Sequence, residues 1–454
     1  MAVNGAFDDG EFQVAIIRKT IVKAIGPLPN YQILTLSNLD LLSGRFPVSY
    51  VYFYNKPQDS ILTSLETLKD SLAKCLSLFY PFSGRIVQNP QTNEPEIVCD
   101  NSGALLVEAK ANIPLKELDF YILDKSFQGK LVSIYEDFQF PLQIQVTNYT
   151  CGSLSITFTF DHALGDASAF GKFLVTWSEI ATQKSLSSLP DHRRHLLGAR
   201  SPPTYDLSLD DTFISCTLQD IHAIPSRNTL LKRLYYIDVS NIDRLQRLAS
   251  LGGRERTKIE AFSAYVWKLM VFAIDKSHEK STMGWLIDGR TRIGKDNHSM
   301  SNYIGNVLSL AFGEGDVHRL KQGSLAEVAT LVHDAISKVT NEAHFLDLID
   351  WIECHRPGLM LSKIVLGRGG PAIVVSSGGR FPVAELDFGF GNPILGTVYS
   401  TIERIGVGYM NQRPSAKCDG SWIVSTILWP EMVAELESDP DHVFEPMSAS
   451  FLQL

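Results

Sequence analysis

The sequence predicts an α/β protein built in two halves, and three observations carry that expectation. Strand-like and helix-like segments are mixed through both halves instead of being gathered into separate runs. The 454 residues, 44% hydrophobic and 20% charged, have globular composition and the length for two large domains, with three as the alternative. One compositional break divides them: Thr182 to Asp211, TQKSLSSLPDHRRHLLGARSPPTYDLSLDD, is rich in Ser, Pro, Arg and His and sustains no period. It reads as an exposed crossover at 182–211, leaving domains at 1–181 and 212–454. No repeat of solenoid period is visible.

The elements follow in order. Leu65, Leu68, Leu72, Cys75, Leu76 and Phe79 recur at helical spacing, and Pro81 ends that helix before FSGRI. Ser153 to Phe160 alternates strictly, with Leu154, Ile156, Phe158 and Phe160 on one face and Ser or Thr on the other, the period of a half-buried strand. DHALGD comes next, and Phe170, Phe173, Leu174, Trp177 and Ile180 then repeat as an amphipathic helix. Thr257-Lys-Ile-Glu260 is a capping box that opens a helix through Trp267. Ile405–Met410 and Trp422–Leu428 are strand candidates, joined by a loop containing Asp419-Gly420.

Charge and cysteine usage narrow the function. Lys+Arg 41 against Asp+Glu 50 gives −9, which argues against a nucleic-acid surface. The six cysteines are scattered, with no CxxC pair and no secreted framework. The N-terminal MAVNGAFDDGEFQ lacks the apolar core of a signal peptide, and Ala264–Ile274, the longest apolar stretch, is interrupted by Lys268. The sequons at Asn148 and Asn297 therefore read as chance matches. The expectation is a reduced, soluble, cytoplasmic protein that binds neither nucleic acid nor membrane.

His162 is the first candidate for chemistry. It falls between a strand and a helix, and an imidazole titrating near neutrality can take a proton from an alcohol and return it to a leaving group. By spacing alone the favoured reading is a satisfied histidine at a strand end. Asp166, four residues on, can orient the ring or cap the following helix, and the cap is the favoured reading. No third metal ligand follows nearby, and no metal is expected. G-x-S-x-G, G-x-x-x-x-G-K-[ST] and GxGxxG are all absent. Gly367-Arg-Gly-Gly370 reads as a loop, and His192-Arg-Arg-His195 as a solvated charge run.

In combination the motifs are specific. His162-Ala-Leu-Gly-Asp166 and Asp387-Phe-Gly-Phe-Gly391 resemble the HxxxD and DFGWG signatures of the BAHD acyltransferases, plant enzymes that move an acyl group from coenzyme A to an alcohol or amine. The resemblance runs along nearly the whole chain: SNLDLL (37–42), Phe79-Tyr-Pro-Phe-Ser-Gly-Arg85, Asp288-Gly-Arg-Thr-Arg292 and Asn302-Tyr-Ile-Gly-Asn306 match further motifs in order.

The resemblance implies two similar domains of the chloramphenicol acetyltransferase type with mixed sheets, a channel between them, and His162 at its centre. The segment near 372–400 is a candidate to pack with the N-terminal domain. His162 would be the catalytic base, Asp166 would pair with Arg290 and shape the loop, and Asp387, Gly389 and Gly391 would form a structural turn. Acyl-CoA would be a co-substrate, with no permanently bound cofactor, held by Thr257, Lys258, Ser376 and Ser377; a helix N-terminus beside a lysine suits its phosphates. The implied protein is a monomer that acylates a small-molecule alcohol, with an amine acceptor or a non-catalytic role as alternatives. Three departures stand out: Ala167 replaces a glycine, Phe390 replaces a tryptophan, and Gly378 stands where hydroxycinnamoyl-shikimate transferases carry tryptophan. The last argues against shikimate or quinate, and SSGGRFP with SNLDLL looks more like the coniferyl alcohol acyltransferase branch.

Overall fold

A computed structural model describes residues 12–26, 32–56, 65–133, 139–217, 230–275, 277–294, 300–366, 371–400 and 407–454. Among these, two mixed sheets dominate. The first has six strands in the order Val14–Val22, Ala104–Ala111, Leu142–Asn148, Leu154–Asp161, Pro47–Tyr54 and Leu395–Ser400. The second has seven: Leu308–Asp316, Lys280–Asp288, Ala372–Ser377, Gly408–Pro414, Trp422–Leu428, Leu231–Ile237 and Glu445–Pro446. Most neighbours are antiparallel, but Ala104–Ala111 runs parallel to Leu142–Asn148, and Ala372–Ser377 runs parallel to both of its neighbours.

The helices Leu65–Leu78 and Ala167–Ala181 cover one face of the six-stranded sheet, where Tyr50, Tyr52, Phe158 and Phe160 join Leu68, Leu72, Phe170, Phe173 and Trp177 in a single core. The other face meets the second half, through Val51 and Phe53 packed in one cluster with Leu234, Tyr399 and Ile423. That burial on both sides corrects the expected half-buried strand: every residue of Leu154–Asp161 is buried. Two hydroxyls of its polar face pair locally, Thr159 with Ser49 at 2.8 Å and Ser155 with Tyr149 at 3.2 Å, while Thr157 Oγ1 is buried without a hydrogen-bond partner. In the second half, helices Val239–Ala249, Lys258–Ala273, Leu325–Val339 and Pro430–Ser438 cover the seven-stranded sheet around Trp267, Trp285 and Met410.

Two boundaries move. The helix opened by Thr257 continues to Ala273, and the strand expected at 405–410 is Gly408–Pro414, with 401–406 outside the described residues. Gly367–Gly370 and Asn297 also lie outside them. The segment near 372–400 divides: Ala372–Ser377 stays in the seven-stranded sheet, while Leu395–Ser400 completes the six-stranded one by antiparallel pairing from Leu395↔Phe53 to Ser400↔Val48. Helix Glu342–His355 likewise places Phe345, Leu348 and Trp351 in the core of the first half. No described helix is long and apolar enough to cross a membrane, and no described cluster of three His, Cys, Asp or Glu side chains could hold a metal.

Candidate active site

His162 begins a short 3-10 turn, His162–Leu164, immediately after the strand Leu154–Asp161. Asp161 caps that turn by accepting from the Ala163 amide at 2.9 Å, and the His162 amide donates to the Phe46 carbonyl at 2.9 Å, so the ladder holds the residue to its last rung. The imidazole stacks on the Phe46 ring, with centroids 4.5 Å apart and planes 21° from parallel. Its Nδ1 is buried without a partner in good hydrogen-bond geometry. Nε2 has no protein partner among the described residues. Burial pushes the ring's pKa down to about 4, against the opposing pull of Asp166, Asp40 and the residue's own carbonyl. At neutral pH the imidazole is therefore uncharged.

Asp166 points away from that ring. Its Oδ2 accepts from Arg290 Nη1 at 2.8 Å and the Val307 amide at 2.9 Å, while Oδ1 caps the helix Ala167–Ala181 by accepting from the Ala169 amide at 3.1 Å. Cap and ion pair coexist because a carboxylate has two acceptor oxygens. Burial pushes the Asp166 carboxyl up, but Arg290 and the amide donors outweigh it and hold the pKa below the usual carboxylate range. Arg290 also donates to the Gly305 carbonyl at 2.7 Å, and its pair with Asp166 ties the two halves together behind the turn.

Three further residues join this framework, and none was singled out individually in the sequence. Asp40 of SNLDLL is completely buried; Oδ1 accepts from the Asn306 amide at 2.7 Å and from Asn306 Nδ2 at 2.9 Å, and Oδ2 pairs with Arg194. Arg194 Nη2 donates to the Leu164 carbonyl at 2.9 Å, and Asn306 Nδ2 donates to the His162 carbonyl at 3.0 Å. This corrects the reading of His192–His195 as a solvated run. Arg193 and His195 are exposed, whereas Arg194 is 5% exposed and His192 reaches the Leu78 carbonyl at 2.8 Å. Asp40 and Asn306 lay within motifs already recognised; Arg194 carried no local signal, because its carboxylate partner is 154 positions away.

The other expected residues lie elsewhere. Asp387 Oδ1 accepts from the Gly389 amide at 2.7 Å and the Gly391 amide at 3.0 Å, closing a turn in which both glycines have positive φ, +93° and +84°. The Asp387 carbonyl accepts from Ser178 Oγ at 2.8 Å, and Phe388 lies edge-on to Trp177 at 5.0 Å, so the turn buttresses the helix Ala167–Ala181. Phe390 meets Tyr54 edge-on at 6.0 Å. Thr257 forms its capping box with Glu260, and Lys258 pairs with Asp243 at 2.8 Å, on the helical layer of the seven-stranded sheet and outside the hydrogen-bonded network around His162. Ser376 and Ser377 close the strand Ala372–Ser377, with Ser377 Oγ 3.1 Å from Gln412 Oε1. At Gly378 a Cβ would stand 2.8 Å from the Gln412 carbonyl oxygen and 3.0 Å from Arg413 Cγ, so Arg413 occupies the space a larger side chain would need.

Comparison with known proteins shows the family and the fold. The chain is 27% identical to omega-hydroxypalmitate O-feruloyl transferase of Arabidopsis thaliana, over 79% of each chain. It is 26% identical to a hydroxycinnamoyl-CoA:5-hydroxyanthranilate N-hydroxycinnamoyltransferase of Avena sativa, over 92% of this chain and 97% of that one. Shikimate O-hydroxycinnamoyltransferase of Nicotiana tabacum is 25% identical over 92% and 97%. Among solved structures, vinorine synthase superposes with a TM-score of 0.70 at 19% identity, covering 96% of this chain and 100% of that one. TRI101 of F. graminearum, complexed with coenzyme A and T-2 mycotoxin, gives 0.73 at 13% identity, over 91% and 99%. The two-domain α/β architecture is thus the chloramphenicol acetyltransferase-like fold. A model of the Transferase family matches residues 12–443, spanning the His162 turn, the Arg290 clamp and the Asp387 turn, and the chain belongs to that family, the BAHD acyl-CoA-dependent acyltransferases of plants.

Proposed function

We propose that this acyltransferase esterifies a hydroxyl of a plant specialised metabolite, a phenylpropanoid alcohol by preference, with His162 as the catalytic base. The observation that carries the reading is the state of the imidazole: uncharged at neutral pH, stacked on Phe46, with no protein partner at Nε2 among the described residues. In the proposed reaction Nε2 takes the acceptor's hydroxyl proton as the oxygen attacks the thioester carbonyl. The carbon–sulfur bond then breaks, and the imidazolium returns the proton to the departing thiolate of coenzyme A. No acyl-enzyme forms. General-base action of this kind contributes about 10²–10⁴-fold.

An alcohol is favoured over an amine by the charges around His162. The three flanking carboxylates are each occupied by an arginine: Asp40 by Arg194, Asp161 by Arg45 and Asp166 by Arg290. None is free to hold a cationic ammonium group. For the donor, the capped helix at Thr257–Lys258 and the strand end at Ser376–Ser377 are the proposed contacts with coenzyme A. The arginine clamp and the Asp387 turn are assigned structural roles. We place the protein in the cytoplasm as a monomer acting on small molecules, without nucleic-acid or membrane partners.

The test is free-thiol release from acetyl-, malonyl-, benzoyl- and hydroxycinnamoyl-CoA, each crossed with coniferyl alcohol, shikimate, an aliphatic alcohol and an amine. Release that depends on coniferyl alcohol and disappears in His162→Ala is expected. Release driven by the amine alone, or a silent grid from folded protein, would overturn the reading.

A further inference from the structure

Arg413, on the strand Gly408–Pro414, carries a buried positive charge that no carboxylate of a described residue answers. The residue is 2% exposed, and its one hydrogen bond in good geometry runs from Nε to Asn411 Oδ1 at 2.8 Å. The carboxylates whose charge reaches the neighbouring tyrosines are used elsewhere, Asp166 by Arg290 and Glu385 by the Val383 amide at 2.9 Å. Burial pushes the pKa of the Tyr50 phenol up, so it stays neutral and supplies no counter-charge. A guanidinium does not lose its proton in a protein, so the charge persists.

Its surroundings place that charge at the seam between the halves. Arg413 belongs to the seven-stranded sheet, but its guanidinium carbon lies 4.4 Å from the ring centroid of Tyr50, which belongs to the six-stranded sheet, and 3.9 Å from that of Phe381. The two rings attract the cation but bear no net charge themselves. The side chain fits there because position 378 is glycine, where a Cβ would stand 3.0 Å from Arg413 Cγ. Tyr50 stacks on Phe160 at 5.8 Å and Phe160 on His162 at 6.4 Å, so two rings separate the guanidinium from the imidazole. A methionine would fill the same space without burying a charge, so packing alone does not account for an arginine. We propose that Arg413 is a carboxylate-binding subsite, pairing with a carboxylate carried by the acyl chain of the donor, as in malonyl-CoA, or by the hydroxy compound that accepts the acyl group. This deepens the acyl-transfer reading and rests on it for which two molecules enter; with a neutral phenylpropanoid alcohol as acceptor, the carboxylate belongs to the donor. The charges around His162 agree with an anionic substrate, since Asp40, Asp161 and Asp166 are each neutralised by an arginine while Arg413 keeps its charge.

The experiment is calorimetric titration of the whole chain with two matched pairs: malonyl-CoA against acetyl-CoA and, with coenzyme A present, shikimate against its methyl ester. In one pair the probe with the added carboxylate should bind at least about tenfold more tightly than its partner, as expected for hydrogen bonds to a charged group. Preference in the first pair assigns the carboxylate to the donor, and preference in the second assigns it to the acceptor. In Arg413→Met that preference should vanish, with the partner lacking the carboxylate bound within about twofold of wild type and Tm not lowered, because a buried unpaired charge has been removed. Arg413→Lys, which keeps the charge but not the planar fork, should retain part of the preference. Equal Kd values within both pairs in wild-type protein overturn the proposal whether or not any variant folds. So does a preference that survives in folded Arg413→Met protein. Titration reads binding without turnover, so a silent thiol-release grid would sink the proposed reaction while leaving the carboxylate preference readable.

Discussion

Replacing Asp166 by asparagine separates a structural aspartate from a member of a catalytic dyad. The side chains of Asp166 and Arg290 are 1% and 4% exposed, so the substitution leaves a buried guanidinium without its main counter-charge. Only Asp288 remains to it, at 3.2 Å and half exposed. Asparagine also has a single acceptor oxygen for three donors, Arg290 Nη1 and the amides of Val307 and Ala169, and its own NH2 must face at least one of them. Breaking a buried pair by removing one partner costs about 3–5 kcal/mol, and the remaining Asp288 contact puts the expected loss near the lower end, about 3 kcal/mol. For a domain of this size that is roughly 6–12 °C in Tm. The assay is thermal unfolding followed by tryptophan fluorescence, since Trp177 sits in the helix that Asp166 caps, together with kcat per folded molecule. Activity per folded molecule should fall no more than about tenfold. An Asp166→Asn protein with unchanged Tm and a hundredfold loss of kcat would refute the structural role and make the aspartate part of a dyad.

Other outcomes follow from the same structure. His162→Ala should lower kcat by at least about a hundredfold while leaving the fold intact, measured by thiol release and circular dichroism. Because burial pushes His162, His192 and His344 each down to about 4, all three must stay uncharged in the fold. The unfolded chain takes up their protons first, so their stabilisation is complete above about pH 6.5 and is lost as pH falls through about 4, at most about 3 kcal/mol each. Activity limited by His162 should accordingly hold to about pH 5 and then fall together with the folded signal in circular dichroism. Gly389→Ala, at φ +93°, should cost on the order of 1–2 kcal/mol with kcat per folded molecule unchanged. Lys258→Ala should raise KM for acyl-CoA severalfold; an unchanged KM would confine Lys258 to its pair with Asp243.

Regular elements were legible where their period was local. The alternation ending at Phe160, the apolar spacing from Phe170 and the capping box at Thr257 each place an element that the structure contains. Asp166 was legible as a cap because a cap is a contact between near neighbours, and its pairing with Arg290 followed from matching motifs. Contacts between distant positions left no periodic trace. Arg194 stands in a stretch whose composition is that of a solvated loop, and only its approach to Asp40 and the Leu164 carbonyl buries it.

The sequence by itself determined the α/β class, the helix–strand punctuation around His162 and, through ordered motifs, the family. These depend on periods and spacings within a few residues, or on chemistry that tolerates little substitution. Tertiary structure alone decided that Leu154–Asp161 is buried on both faces, that Leu395–Ser400 returns to complete the first sheet, and that Asp40, Arg194 and Asn306 clamp the His162 turn. The pKa of His162 belongs to the same group: an imidazole in solution titrates near 6.5, and only burial between the packed halves brings this one to about 4. Burial and long-range pairing are properties of how surfaces meet, and no local pattern along the chain encodes which surfaces those are.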